Sequence, residues 1–153
     1  MSDAPDLHEL DRAAALKLWV VLSRAYNAVA RQATDDVERQ GLSMTDFAVL
    51  EVLYHRGPLS LGDIGERVLL RSGSVTYAVD RLEEKRLLRR RPSAEDLRVT
   101  FAELTPAGRA VMDRVFPVHA ETIRQTLSGL SRAEKRQATE LIKRLGRRAA
   151  GLD

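Results

Sequence analysis

Between Arg81 and Thr100 the chain reads Arg81-Leu-Glu-Glu-Lys-Arg-Leu-Leu-Arg-Arg-Arg-Pro-Ser-Ala-Glu-Asp-Leu-Arg-Val-Thr100, with seven Lys/Arg against four Asp/Glu. That surplus of three equals the formal net charge of +3 of all 153 residues, so the 18 basic and 18 acidic residues elsewhere cancel and the positive character sits in one patch. Clustered guanidinium and ammonium groups neutralise nucleic-acid phosphates and release their counterions. Just before the patch stand Ser72, Ser74, Thr76 and Tyr77, small or neutral side chains that can meet base edges. Other chemistry is sparse. There is no Cys, which rules out disulfides, thiolate metal sites and thiol oxidation sensing. His8, His55 and His119, with distant carboxylates, make too thin a set for a metal ion. No Gly-rich phosphate loop or Gly-x-Ser-x-Gly elbow is present, so neither an enzyme nor a cofactor is expected.

The elements that must hold the patch follow from apolar spacing. Leu10, Ala14, Leu18, Trp19, Leu22, Tyr26, Val29, Ala33 and Val37 lie along one broad face of a long first helix over residues 7–37, closed by Gly41. Ser43-Met-Thr-Asp46 reads as a capping box for a second helix carrying Phe47, Leu50, Val52, Leu53 and Tyr54, ended by Arg56-Gly57-Pro58. Ser60-Leu-Gly-Asp63 repeats that start for a short third helix with Leu61, Ile64 and Val68 inward. From Ser72 to about Arg86 a fourth helix turns Val75, Val79 and Leu82 to the core, so Ser74, Thr76, Tyr77, Asp80 and Arg81 point elsewhere. Short helices joined by a tight turn make a helix-turn-helix candidate.

Leu87 to Arg91 and Val99 to Leu104 are β-compatible runs flanking a polar tip, the pattern of a hairpin wing. Thr105-Pro-Ala-Gly108 opens a fifth helix with a capping hydroxyl and Pro at its first position, and Pro117 inside it predicts a bend. Ser131-Arg-Ala-Glu134 is a further capping box, opening a last helix with Ala138, Leu141, Ile142, Leu145 and Ala149 on one face. The fold class expected is therefore mainly α: a winged helix-turn-helix with a small β-hairpin wing, and N- and C-terminal helices forming a dimerisation region. Residues 1–153 form a single unit, with 42–104 as the DNA-binding lobe and 7–40 and 105–153 as dimerisation helices. The outer helices carry more apolar surface than a small winged-helix core covers, which predicts a homodimer reading two half-sites about one turn of duplex apart. The acidic N-terminus and the lack of an apolar run near 20 residues predict a cytoplasmic protein without a membrane span.

This order of elements resembles the MarR family of bacterial winged-helix transcription regulators over nearly the whole chain. The residues that carry the resemblance are Leu42-Ser-Met-Thr-Asp-Phe-Ala-Val-Leu50, Ser72-Gly-Ser-Val-Thr-Tyr-Ala-Val-Asp-Arg-Leu-Glu-Glu-Lys85, Glu95-Asp-Leu-Arg98 and Leu104-Thr-Pro-Ala-Gly108. It implies double-stranded DNA as partner, with Ser72, Ser74, Thr76 and Tyr77 toward bases, and Arg71, Arg81, Lys85, Arg89, Arg90 and Arg91 mostly toward phosphates. Arg98 takes the place of the family's minor-groove residue, steadied by Asp96. Two departures stand out. The family usually has Gly where this chain has Arg86, a left-handed helix end that costs a non-glycine residue about 1 kcal/mol or more. Leu97 replaces the middle Arg of the wing. The resemblance further implies repression and a small aromatic or phenolic effector, with Trp19, Tyr26, Phe47, Tyr54, His55, Met112, Phe116 and His119 as candidate lining. Two other readings remain open from sequence: a non-specific architectural DNA-binding protein, and a helical interaction protein without DNA binding.

Overall fold

A computed structural model describes residues 7–68, 72–96 and 98–152. The order is α1 (Leu7–Arg39), α2 (Met44–Arg56), β1 (Leu59–Ser60), α3 (Leu61–Val68), α4 (Ser72–Glu84), β2 (Leu88–Pro92), β3 (Thr100–Leu104), α5 (Pro106–Thr126) and α6 (Arg132–Ala149). The three strands form an antiparallel sheet in the order β1-β3-β2, with Arg89 opposite Glu103 and Arg91 opposite Phe101. The two-residue strand β1, which the sequence reading lacks, ties the loop after α2 to the hairpin through Leu59 and Ser60.

The core fills from the positions that periodicity marks. Phe47, Val49, Leu50 and Leu53 of α2, Ile64 of α3, and Val75, Ala78, Val79 and Leu82 of α4 meet Leu88, Ala102, Met112 and Val115, all buried. Removing side chains of this size from water contributes about 1.5–3 kcal/mol each. This cluster fixes α3 and α4 relative to the sheet and turns the other face of α4 outward.

The outer helices differ sharply. Only Asp36 and Val37 of α1 are buried, and no residue of α6 is. Leu18, Trp19, Tyr26, Leu141, Ile142 and Leu145 are all exposed. α1 packs along α5, and their junction is polar: the carboxylate of Asp36 accepts hydrogen bonds from Thr122 Oγ1 (3.0 Å) and Gln40 Nε2 (3.1 Å) and lies 3.0 Å from His119 Nδ1. The His119 ring packs against Phe47 at 4.5 Å with the two planes tilted by 55°, joining this junction to α2.

The starts of the helices depart in part from the capping boxes expected. Ser43 and Ser60 accept from the amides of Asp46 and Asp63 as a cap requires. The Asp46 carboxylate does not return to the cap amide; it is taken by Arg81 and Lys85, whose charges outcompete a backbone N–H. Asp63 instead accepts from the Ser60 hydroxyl. The full reciprocal box forms at Ser131 and Glu134. α5 starts at Pro106 with Thr105 as its cap and runs on as one helix through Pro117.

Candidate nucleic-acid interface

The exposed face of α4 carries Ser74, Thr76 and Tyr77, as its inward Val75, Val79 and Leu82 require. Tyr77 is 65% exposed, unusual for an aromatic ring outside an interface. Arg71 lies outside the described residues, as does Leu97; of Ser72 the backbone alone is described, as the first residue of α4.

The basic residues do not form the set of free cations that the sequence suggests. Arg81 turns back toward α2: its Nε donates to both Asp46 carboxylate oxygens at 3.1 Å, and its Nη2 donates to Asp46 Oδ1 and to Ser43 Oγ. Asp46 is almost wholly buried, at 1% exposure. That carboxylate also lies 3.4 Å from Lys85 Nζ, and its hydrogen bond holds the Arg81 pKa above the ordinary value. Sequence spacing gave no sign of this pair, since its members stand 35 residues apart.

In β2 the three consecutive arginines separate by strand alternation. Arg90 is clamped onto α4, with its Nη1 donating to Glu83 and its Nη2 to Asp80. Its backbone N–H also donates to Glu83, and this bond, ahead of the side-chain one, holds the Glu83 carboxyl below its ordinary range. α4 and the β2-β3 hairpin are thereby one mechanical unit. Arg89 pairs across the strands with Glu103 at 2.6 Å, while Arg91 is exposed.

At the wing tip Arg98 is 91% exposed at its side chain, and Asp96 holds it by three hydrogen bonds. Asp96 Oδ1 accepts from Arg98 N (3.0 Å) and Nε (3.1 Å), and Oδ2 accepts from Nη2 (3.0 Å). The guanidinium lowers the Asp96 pKa, first through the side-chain bonds. The arginine is pointed outward on a braced turn, with its charge only partly offset.

Where α4 meets the wing, Arg86 adopts φ 58°, the left-handed conformation that the departure from Gly predicts. Its carbonyl accepts from Thr105 Oγ1 at 2.7 Å, and the Leu87 carbonyl accepts from Thr105 N at 3.1 Å. The cap of α5 thus grips the end of α4. Gly108 passes so close that an added Cβ would lie 1.8 Å from Leu87 O.

The aromatic candidates fall into three places rather than one cleft. Phe47 and Met112 are core residues, consumed in packing. Trp19 and Tyr26 line a shallow depression on α1 with Leu22, Ser23 and Asn27. Tyr54, His55 and Phe116 do come together, with ring separations of 5.1 Å, 4.6 Å and 5.9 Å, where α2 meets α5. The Tyr54 hydroxyl donates to Asp113 Oδ1 at 2.7 Å, which raises its pKa, and Arg109 lies 5.4 Å over its ring.

Comparison with known proteins settles what carries this arrangement. The MarR family model matches residues 42–100, from the start of α2 into β3. The HTH-type transcriptional regulator MhqR of Bacillus subtilis is 47% identical over 131 residues, covering 86% of this chain and 90% of its own. The chain belongs to the MarR family. It is accordingly a DNA-binding transcription regulator, and its helices with the β2-β3 hairpin form a MarR-family winged helix. The HTH-type regulator YkoM of the same organism is 41% identical over 138 residues, covering 90% of this chain and 88% of YkoM. Among solved structures, BpsR of Bordetella bronchiseptica, whose DNA binding is regulated by 6-hydroxynicotinic acid, superposes with a TM-score of 0.76 at 25% identity, covering 85% of this chain and 98% of BpsR. Among the described residues of this MarR-family chain, no helix is long and apolar enough to cross a membrane.

Proposed function

We propose that the protein is a ligand-responsive cytoplasmic repressor that binds a near-palindromic operator as a homodimer. In this reading residues 42–104 are the DNA-binding lobe, and 7–40 and 105–153 are the dimerisation helices. The observation that carries it is the unpartnered apolar face of the outer helices, where Leu18 and Leu22 of α1 face a groove shared with Leu141, Ile142 and Leu145 of α6. A contiguous apolar surface of this kind is rarely left to water, and a second copy covers it isologously. Two α4 helices then enter successive major grooves. Ser72, Ser74, Thr76 and Tyr77 face bases, while Arg71, Lys85, Arg89, Arg91 and the Asp96-braced Arg98 meet phosphates and the minor groove.

The effector is a small aromatic or phenolic molecule. The regulation of BpsR by a hydroxylated heteroaromatic acid supports that class. The Tyr54, His55 and Phe116 rings stand at the joint between the lobe and α5, so a ligand stacked there changes the angle between recognition helices. It shifts that equilibrium only by its differential affinity for the two arrangements. The test is selection of duplexes from a random-sequence pool, followed by titration with phenols and aromatic acids. Inverted half-sites about one turn apart, bound by two protomers and released by such a compound, are expected. A single unpaired half-site bound by one protomer contradicts the reading.

A further inference from the structure

Arg81 stands on the recognition helix beside the base-facing residues, where a cation would ordinarily serve as a phosphate contact. Its surroundings give it different work. The Nε and Nη2 atoms are both spent on Asp46, with a further bond from Nη2 to Ser43 Oγ. The side chain retains 31% exposure against 2% for the Asp46 side chain. Releasing Arg81 would leave the buried Asp46 carboxylate only its longer, 3.4 Å contact with Lys85 Nζ, so the guanidinium is held in place. The plane so fixed lies under Tyr77: Arg81 Cζ is 5.1 Å from the centre of the Tyr77 ring. The two residues are one helical turn apart, which puts both side chains on the same stripe of α4.

We propose that Asp46 and Arg81 are positioning residues, and that what they position is Tyr77, the specificity-determining side chain of α4. This rests on the proposed operator recognition. A tyrosine on an exposed helix face samples several rotamers; with one ring face covered by a clamped guanidinium that also interacts with its hydroxyl, it presents its ring edge to the major groove from one direction. The arrangement answers a deficiency of the sequence. Ser74 and Thr76 are small, and no Arg or Asn on the described part of the α4 face is free for bidentate base contacts, which leaves Tyr77 as the largest group able to discriminate. The order of control runs from α2, through Asp46 and Arg81, to Tyr77.

A phosphate contact and a positioning residue give opposite signatures. Removing a phosphate contact weakens binding on every sequence alike and lowers the salt slope by about 0.9, or about 1.8 for two copies in a dimer. Removing a positioning residue lowers the preference for the correct sequence and leaves the slope unchanged. The experiment measures Kd of the full-length wild type and of Arg81→Ala, Arg81→Lys, Tyr77→Leu and the Arg81→Ala/Tyr77→Leu double variant. Each is titrated against the duplex selected by the wild type and against a scrambled duplex, across a salt series. Asp46→Asn is included where its circular dichroism matches the wild type; the Arg81 and Tyr77 set decides the matter without it.

The expected result is a loss on the order of tenfold in the selected-to-scrambled ratio for Arg81→Ala and for Tyr77→Leu, within the range of one base-edge contact. The salt slope should be unchanged, Arg81→Lys should recover only part of the ratio because an ammonium lacks the planar fork, and the double variant should lose no more than Tyr77→Leu alone. Equal weakening on both duplexes with a reduced slope overturns the proposal and makes Arg81 a phosphate contact. Additive losses in the double variant overturn it as well. A wild type that does not distinguish the two duplexes fails instead at the proposed operator recognition, an outcome separable from the other two.

Discussion

Replacing Gly108 by Ala introduces a methyl carbon 1.8 Å from the carbonyl oxygen of Leu87, 2.8 Å from its carbon and 3.3 Å from its Cα. An ordinary nonbonded separation is about 3.5 Å, so the start of α5 must move away from Leu87 by roughly 1.5 Å. The obstacle is backbone and cannot rotate aside. Moving it breaks the Thr105 N to Leu87 O bond and the Thr105 Oγ1 to Arg86 O bond, each worth about 1 kcal/mol net. Overpacking adds about 1–3 kcal/mol, and the better helix propensity of Ala returns about 1 kcal/mol. The net destabilisation is about 2–4 kcal/mol, which for a chain of this size lowers Tm by about 5–15 °C. The assay is thermal unfolding by circular dichroism at fixed protomer concentration, since association itself shifts Tm. Gly73→Ala, whose added methyl meets nothing within 4 Å, is the control and should stay within about 2 °C of wild type. A Gly108→Ala protein that melts with the wild type refutes the reasoning, because the grip of α5 on the recognition helix would then be loose.

Arg86→Gly removes left-handed strain of about 1–2 kcal/mol and adds about 0.4–1 kcal/mol of unfolded-state freedom, so Tm should rise by about 1–3 °C while DNA binding weakens; an unchanged or lower Tm removes the strain argument. Arg98→Ala should weaken DNA binding several-fold yet leave Tm within about 1 °C, because the Arg98–Asp96 pair is exposed and contributes little to folding; unaltered affinity removes Arg98 from the interface. Asp36→Ala strips the acceptor from Thr122 and Gln40 and the partner from His119, and chemical denaturation should show a loss of about 1–3 kcal/mol. No loss there means that the α1–α5 junction is held by its apolar contacts alone.

Periodicity makes most of the fold legible in the sequence. Val75, Val79 and Leu82 set the phase of α4, and that phase alone exposes Ser74, Thr76 and Tyr77. The wing was equally readable, because residues 92–98 hold turn formers between two β-compatible runs, and the Asp96–Arg98 pair is local enough to be seen as a motif. Arg86 gave itself away as a charged residue where the chain must turn left-handed. What stayed hidden is long-range pairing. Nothing in the spacing tells that Asp46 leaves its own cap for Arg81, or that Arg90 folds onto Asp80 and Glu83 while its neighbour Arg91 faces out. A charge count therefore overstated the cations free for DNA. Likewise Phe47, Met112, Trp19 and Tyr26 look alike in sequence, as apolar or aromatic residues at helical spacing; burial sends the first two to the core and leaves the others on an open helix face. The strand β1, two residues long, carries too little pattern to be seen.

The central claim is that α4 and its wing read a specific duplex. The direct measurement is the affinity of the wild-type protein for the duplex it selects, against a scrambled duplex of equal composition, from low to physiological salt. The account predicts preference for the selected duplex at every salt concentration, with affinity for both falling steeply as salt rises because phosphate contacts release counterions. Equal affinity for the two duplexes would make this an architectural DNA-binding protein, and absence of binding at low salt would contradict a DNA-binding role altogether.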